Sequence, residues 1–169
     1  MQAIRSILVV IDPEHAESLA LKRAKLIAGV TQAHLHLLVC DRKHDHSAML
    51  SVLKTALLAD GYSVTTEQAW NESLQETIVD VQQAEGCGLV IKQHFPDSSL
   101  KKALLTPADW KLLRLCPTPV LLVKTSKPWT GGVILAAIDV GNLDGEHRNL
   151  HATIVDHGFD IASLAKASL

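Results

Sequence analysis

Apolar, largely β-branched residues fill Ile4 to Ile11 almost without interruption, and Asp12-Pro13 closes the run. Such a stretch reads as a strand buried on both faces, which places it centrally in a parallel sheet. From Glu14 to Gly29 the period changes: Leu19, Ala20, Arg23, Ala24, Ile27 and Ala28 recur at helical spacing, and Gly29 is the expected stop. Ala33 to Cys40 predicts a second strand, Asp41 to His46 a polar loop and Ser47 to Ala59 a second helix. The Thr- and Val-rich segment Tyr62 to Glu67 predicts an edge strand, and Asn71 is the expected N-cap of a helix reaching Ala84 with Leu74, Ile78 and Val81 inward. Leu89 to Lys92 predicts a short buried strand and His94 to Lys102 a polar segment. Thr106 and Pro107 then supply the cap and first turn of a helix with Trp110, Leu112, Leu113 and Leu115 as its apolar content, and Val120 to Lys124 predicts a fifth strand. Strands alternating with helices predict an α/β three-layer sandwich around a five-stranded parallel sheet, because parallel strands need crossovers that cover both faces.

Lys127 to Gly132 reads as a linker from its Pro and Gly content, and a repeat follows it: Ile134-Leu135-Ala136-Ala137-Ile138-Asp139 reproduces the pattern of Ile7 to Asp12. The expected organisation is a complete domain over residues 1–126, a linker over 127–132 and the start of a second copy over 133–169. In that second part Val133 to Val140 is the expected strand, Gly141 to Glu146 a loop and Leu150 to Ala167 a helix, weakened at Gly158 by ~1 kcal/mol relative to Ala.

Composition narrows the partners. With a formal net charge of −2 over 169 residues the chain offers no global basic field, so neither nucleic acid nor an anionic membrane surface is an expected partner. No apolar run approaches the ~20 residues of a membrane span and Met1 to Ser6 lacks a signal-peptide pattern, which predicts a cytoplasmic protein. Three separated cysteines, Cys40, Cys87 and Cys116, form no CxxC pair and read as buried thiols. Of the nine histidines, His34 and His36 share a strand face and His147 and His151 a helix face. Neither pair has an evident Cys or carboxylate partner in sequence, so no metal is expected. No GxSxG, Walker loop or HExxH is present, and dedicated catalysis is not expected.

Three separated stretches, Ile7 to Pro13, Leu105 to Leu113, and Cys116 to Lys124 with Pro128-Trp129, resemble the universal stress protein family in its tandem-domain form. The resemblance implies a strand order of 3-2-1-4-5 and a second domain of the same fold, of which this chain would hold only the beginning. Members that bind ATP carry an acidic residue at the end of the first strand and a GxxG, nine residues, Gly-Ser/Thr loop, since glycines let backbone N–H groups reach the phosphates. Those positions fall here on Asp12, Gln93, Pro96 and Thr106, with Pro107 where the hydroxyl residue would stand. All three glycines are missing and both prolines lack an N–H, so the resemblance leaves a vestigial site, with no cofactor expected and ATP or AMP as the alternative. Asp12 has two readings, a ligand contact at the end of the strand or a cap on its own turn. The loop containing Gln93, His94, Asp97, Ser98, Ser99, Lys101 and Lys102 reads as a solvated loop or a small-anion holder.

The implied function is a non-catalytic stress-response module acting through protein association, with ATP binding and slow hydrolysis as the alternative. An electron-transfer flavoprotein or adenylate-forming ligase type of nucleotide fold is more distant. An apolar fifth strand at a sheet edge also predicts a homodimer through Thr118 to Lys124.

Overall fold

The computed structural model describes residues 4–15, 18–95, 105–139, 141 and 144–169. They fall into two compact units, Ala3–Thr125 and Ser126–Leu169. In the first, strands β1 (Ser6–Ile11), β2 (His34–Cys40), β3 (Val64–Ala69), β4 (Leu89–Gln93) and β5 (Val120–Val123) alternate with helices α1 (Leu19–Thr31), α2 (Ser47–Ala59), α3 (Leu74–Ala84) and α4 (Pro107–Leu115). The sheet runs β3-β2-β1-β4-β5 and every pairing is parallel.

Alternation along the central strands sorts their side chains into two cores. Ile7, Val9, Leu35, Leu37 and Ile91 point to the side where Ala20, Ala24 and Ala28 of α1 and Leu50 and Leu57 of α2 cover them. Leu8, Leu38 and Val90 point to the other side, against Ile78 and Val81 of α3 and Leu112 of α4. Each fully buried Val, Leu or Ile among them contributes roughly 1.5–3 kcal/mol relative to exposure, and the small alanines of α1 permit its close packing on the sheet.

Several expected boundaries move, each for a local reason. Helix α1 passes Gly29 and ends at Gln32, which adopts φ 58° and donates its side-chain amide to Gly29 O. Ser18, not the segment at Glu14, begins it, with its Oγ accepting the Leu21 N–H at 3.1 Å. Strand β3 is displaced from Tyr62–Glu67 because Leu35 pairs with Val64 and Cys40 with Ala69. Asn71 is not the cap of α3: Ser73 accepts the Glu76 N–H, while Asn71 donates its backbone N–H to Thr77 Oγ1. In α4 only Leu112 of the expected apolar set is buried; Trp110, Leu113 and Leu115 are exposed, because the inward position one turn earlier belongs to Asp109.

The second unit departs further from expectation. Val133 to Val140 is not a strand over its described residues: Val133 makes an isolated parallel bridge with Ser168, and Leu135 is 89% exposed. Among the described residues of this unit the segment joins no sheet, and its backbone meets the C-terminal segment through the Ile134 N–H to Ser168 O contact at 2.8 Å. Helix α5 (Gly145–Ala165) begins before the expected Leu150, capped by Asp144 Oδ1 on the His147 N–H, and thus includes part of the expected 141–146 loop. Gly158 is buried in it, where an added Cβ would stand 2.9 Å from a Leu169 methyl and 3.6 Å from the Ala136 Cβ. Close approach of the 134–136 segment accounts for a glycine in mid-helix.

Candidate functional site

A parallel sheet aims the N-termini of its helices at its carboxyl edge, and ligands of open α/β sheets bind in the crevice there. Such a crevice, about 560 Å³, opens at the ends of β1, β2 and β4; Asp12, Cys40, Asp41, Lys92, Gln93 and Phe95 are among its walls. Its size suits a small organic ligand.

Several polar groups at this edge are engaged with one another, while the cationic Arg42 and Lys43 also line the crevice. Asp12 accepts the Glu14 N–H through Oδ1 at 2.9 Å and faces the His15 Nδ1 through Oδ2 at 3.0 Å. Gln93 reaches across to α1 and accepts the Leu19 N–H through Oε1 at 2.8 Å, occupying a donor of the first turn. At α4 the Thr106 hydroxyl accepts the Asp109 N–H, and the Asp109 carboxylate reaches back to the Thr106 N–H and hydroxyl, closing a capping box. Asp109 has no exposed surface; its Oδ1 receives Lys92 Nζ at 3.0 Å and its Oδ2 lies 2.6 Å from His94 Nδ1. Burial alone raises this carboxyl, and the bonds from His94, Lys92 and Thr106 more than reverse that, holding it below the usual carboxylate range.

Of the positions singled out in sequence, Asp12 and Gln93 therefore lie at the crevice and Thr106 lies in the α4 cap; Pro96 and residues 97–104 lie outside the described residues. Sequence reasoning missed Asp109 and Lys92. The Thr106-to-Asp109 spacing signalled a capping box, but a lysine and a histidine from β4 and its end meeting that carboxylate carry no local signature. Cys40 lines the crevice as an inert thiol: burial first, then the nearby Glu67, pushes it up to about 12.

The histidines also differ from expectation. His36 is buried, with Nε2 3.1 Å from Glu67 Oε2 and Nδ1 3.6 Å from Glu85 Oε2, and His147 Nδ1 is 2.8 Å from Asp144 Oδ2. Both expected pairs thus have the carboxylate partners that the sequence spacing did not reveal, because these come from β3, the end of α3 and the α5 cap. A third grouping was missed. On the turn after β2, Asp41 Oδ2 lies 3.0 Å from His44 Nδ1 and 2.8 Å from His46 Nε2. The Lys43 N–H and then the two imidazoles hold the Asp41 carboxyl far below its ordinary range.

The model of the universal stress protein family matches residues 3–124. The chain belongs to that family. Universal stress protein E of Escherichia coli K12 is 28% identical over 96% of the chain, which spans only 58% of that relative's length. A solved universal stress protein structure from Pseudomonas aeruginosa UCBPP-PA14 is 69% identical with a TM-score of 0.94, covering 99% of this chain and 60% of that one. A more distant universal stress protein, solved in complex with cAMP, shares the fold at 19% identity and a TM-score of 0.60 over 74% of this chain. Among the described residues, no helix is long and apolar enough to cross a membrane.

Proposed function

We propose that this protein is a non-catalytic regulatory module of the universal stress protein family whose crevice does not take the phosphates of ATP. The observation that carries the reading is the α4 N-terminus. Phosphates bind helix N-termini because free N–H groups and the positive end of the dipole face them. Here an internal carboxylate, Asp109, takes that place, bonded to Thr106 and held by Lys92 and His94. An incoming phosphate would have to displace it from a site without exposed surface and would meet like charge on the way. The Leu19 N–H, spent on Gln93, removes a second donor.

Regulation through association with another protein then replaces nucleotide chemistry as the working mode, with no hydrolysis of ATP. The cAMP complex of a distant relative adds one small ligand to the probes worth trying. The test is nucleotide analysis of the purified protein after denaturation, followed by calorimetric titration with ATP, AMP and cAMP. The expected result is no stoichiometric nucleotide and no ATP binding below about 1 mM, equivalent to ~4 kcal/mol of affinity. Copurified ATP at one per chain would overturn the proposal in favour of an ATP-binding protein.

A further inference from the structure

We propose that Asp41, His44 and His46, on the turn between β2 and α2, form a binding site for a divalent transition-metal ion of the zinc type. One carboxylate oxygen and two imidazole nitrogens already converge: Asp41 Oδ2 meets His44 Nδ1 and His46 Nε2, and one ligand atom from each of the three residues lies within 4.8 Å of the others. Ligand atoms about 2.0–2.2 Å from a tetrahedral zinc stand roughly 3.3 Å apart, so the present 2.8 and 3.0 Å separations need to open by only a few tenths of an ångström.

The turn is built to hold this arrangement. The second oxygen of Asp41 accepts the Lys43 N–H at 2.7 Å, which leaves Oδ2 turned toward the histidines. A single side chain from β3, Gln68, ties down the backbone of all three ligand residues. Its Nε2 donates to Asp41 O at 3.1 Å and to His44 O at 2.6 Å, and its Oε1 accepts the His46 N–H at 2.7 Å. Outer-shell ties of this kind orient ligands before the metal arrives. Asp45 is directed elsewhere, both oxygens engaging Ser47. His44 is largely exposed, so solvent reaches the fourth position, which in a three-ligand zinc site is held by water.

The donor set selects the class of ion. Two imidazoles and one carboxylate suit zinc and its neighbours in the first transition row, whereas calcium and magnesium require mostly oxygen ligands. In the hydrogen-bonded turn His44 Nδ1 and His46 Nε2 donate to the Asp41 carboxylate, so binding a metal at these nitrogens requires each imidazole to give up that proton and carry its single remaining proton on the far nitrogen, Nε2 of His44 and Nδ1 of His46. Asp41 and His44 also line the carboxyl-edge crevice, so the ion would bring positive charge to its rim.

The probe is zinc chloride titrated calorimetrically into the metal-free full chain. One ion per chain with a micromolar or lower dissociation constant is expected. His44→Ala and His46→Gln should each weaken binding at least tenfold; the glutamine retains a donor for Asp41 while removing the metal-binding nitrogen, so the turn remains hydrogen-bonded. Gln68→Ala, which touches no metal, should weaken it by 10- to 100-fold as a positioning residue. The double variant His147→Ala, His151→Ala should bind as the parent does. Absence of binding at 100 µM zinc, or binding unchanged in both His44→Ala and His46→Gln, would show that the three side chains are joined by hydrogen bonds alone and overturn the proposal.

Discussion

Asp109 concentrates more of the first unit's polar energetics than any local feature of its helix suggests. It has no exposed surface and satisfies Lys92, His94 and the α4 cap together. Removing one partner of a buried charge pair strands the other, so Asp109→Ala should lower unfolding stability by about 3–5 kcal/mol near neutral pH in urea titrations. Because the folded carboxyl lies below its ordinary value, its stabilisation is present above about pH 4 and disappears as the pH falls through the folded value. The gap between parent and variant should therefore narrow in acid; a gap independent of pH from 7 to 3 would refute the charge argument. Thr106 was legible as a cap because capping is local. Lys92 and His94 were not legible as its partners, since their meeting with Asp109 depends on how β4 and α4 are packed.

Elements repeat that distinction. Helix α2 appears over the residues its periodicity predicts, Ser47–Ala59, because a long amphipathic pattern is dominated by burial. Ends depend on single hydrogen bonds, and Asn71 and Ser73 are equally good caps by residue type. The structure spends Ser73 on the Glu76 N–H, so Ser73→Ala should cost about 1 kcal/mol of stability while Asn71→Ala costs less. The reverse order in urea unfolding would restore Asn71 as the cap. The apolar repeat Ile134 to Ile138 shows the other limit: a central-strand sequence becomes a strand only where flanking strands exist to pair with it, and a pattern in sequence does not report their presence.

At the scale of the molecule, the two edges of the sheet differ. Strand β3 presents Thr65, Thr66, Glu67 and Gln68, whereas β5 is Val-Leu-Leu-Val with its first three residues half-buried. An apolar edge invites pairing with a second copy, and light scattering at micromolar concentration should report a dimer; a monomer there would remove β5 as an association surface. The strand order carries a consequence for synthesis. β1 leaves the ribosome first, yet its β4 neighbour lies roughly 80 residues downstream, a delay of about 4–16 s at ordinary elongation rates. Until β4 emerges, the one native neighbour that becomes available to β1 is β2, which leaves the apolar β4-side flank of Ile7 to Ile11 open to other chains. For a protein of this family, the period of greatest exposure to aggregation thus falls before its own sheet is finished, when chaperone cover on the nascent chain matters most.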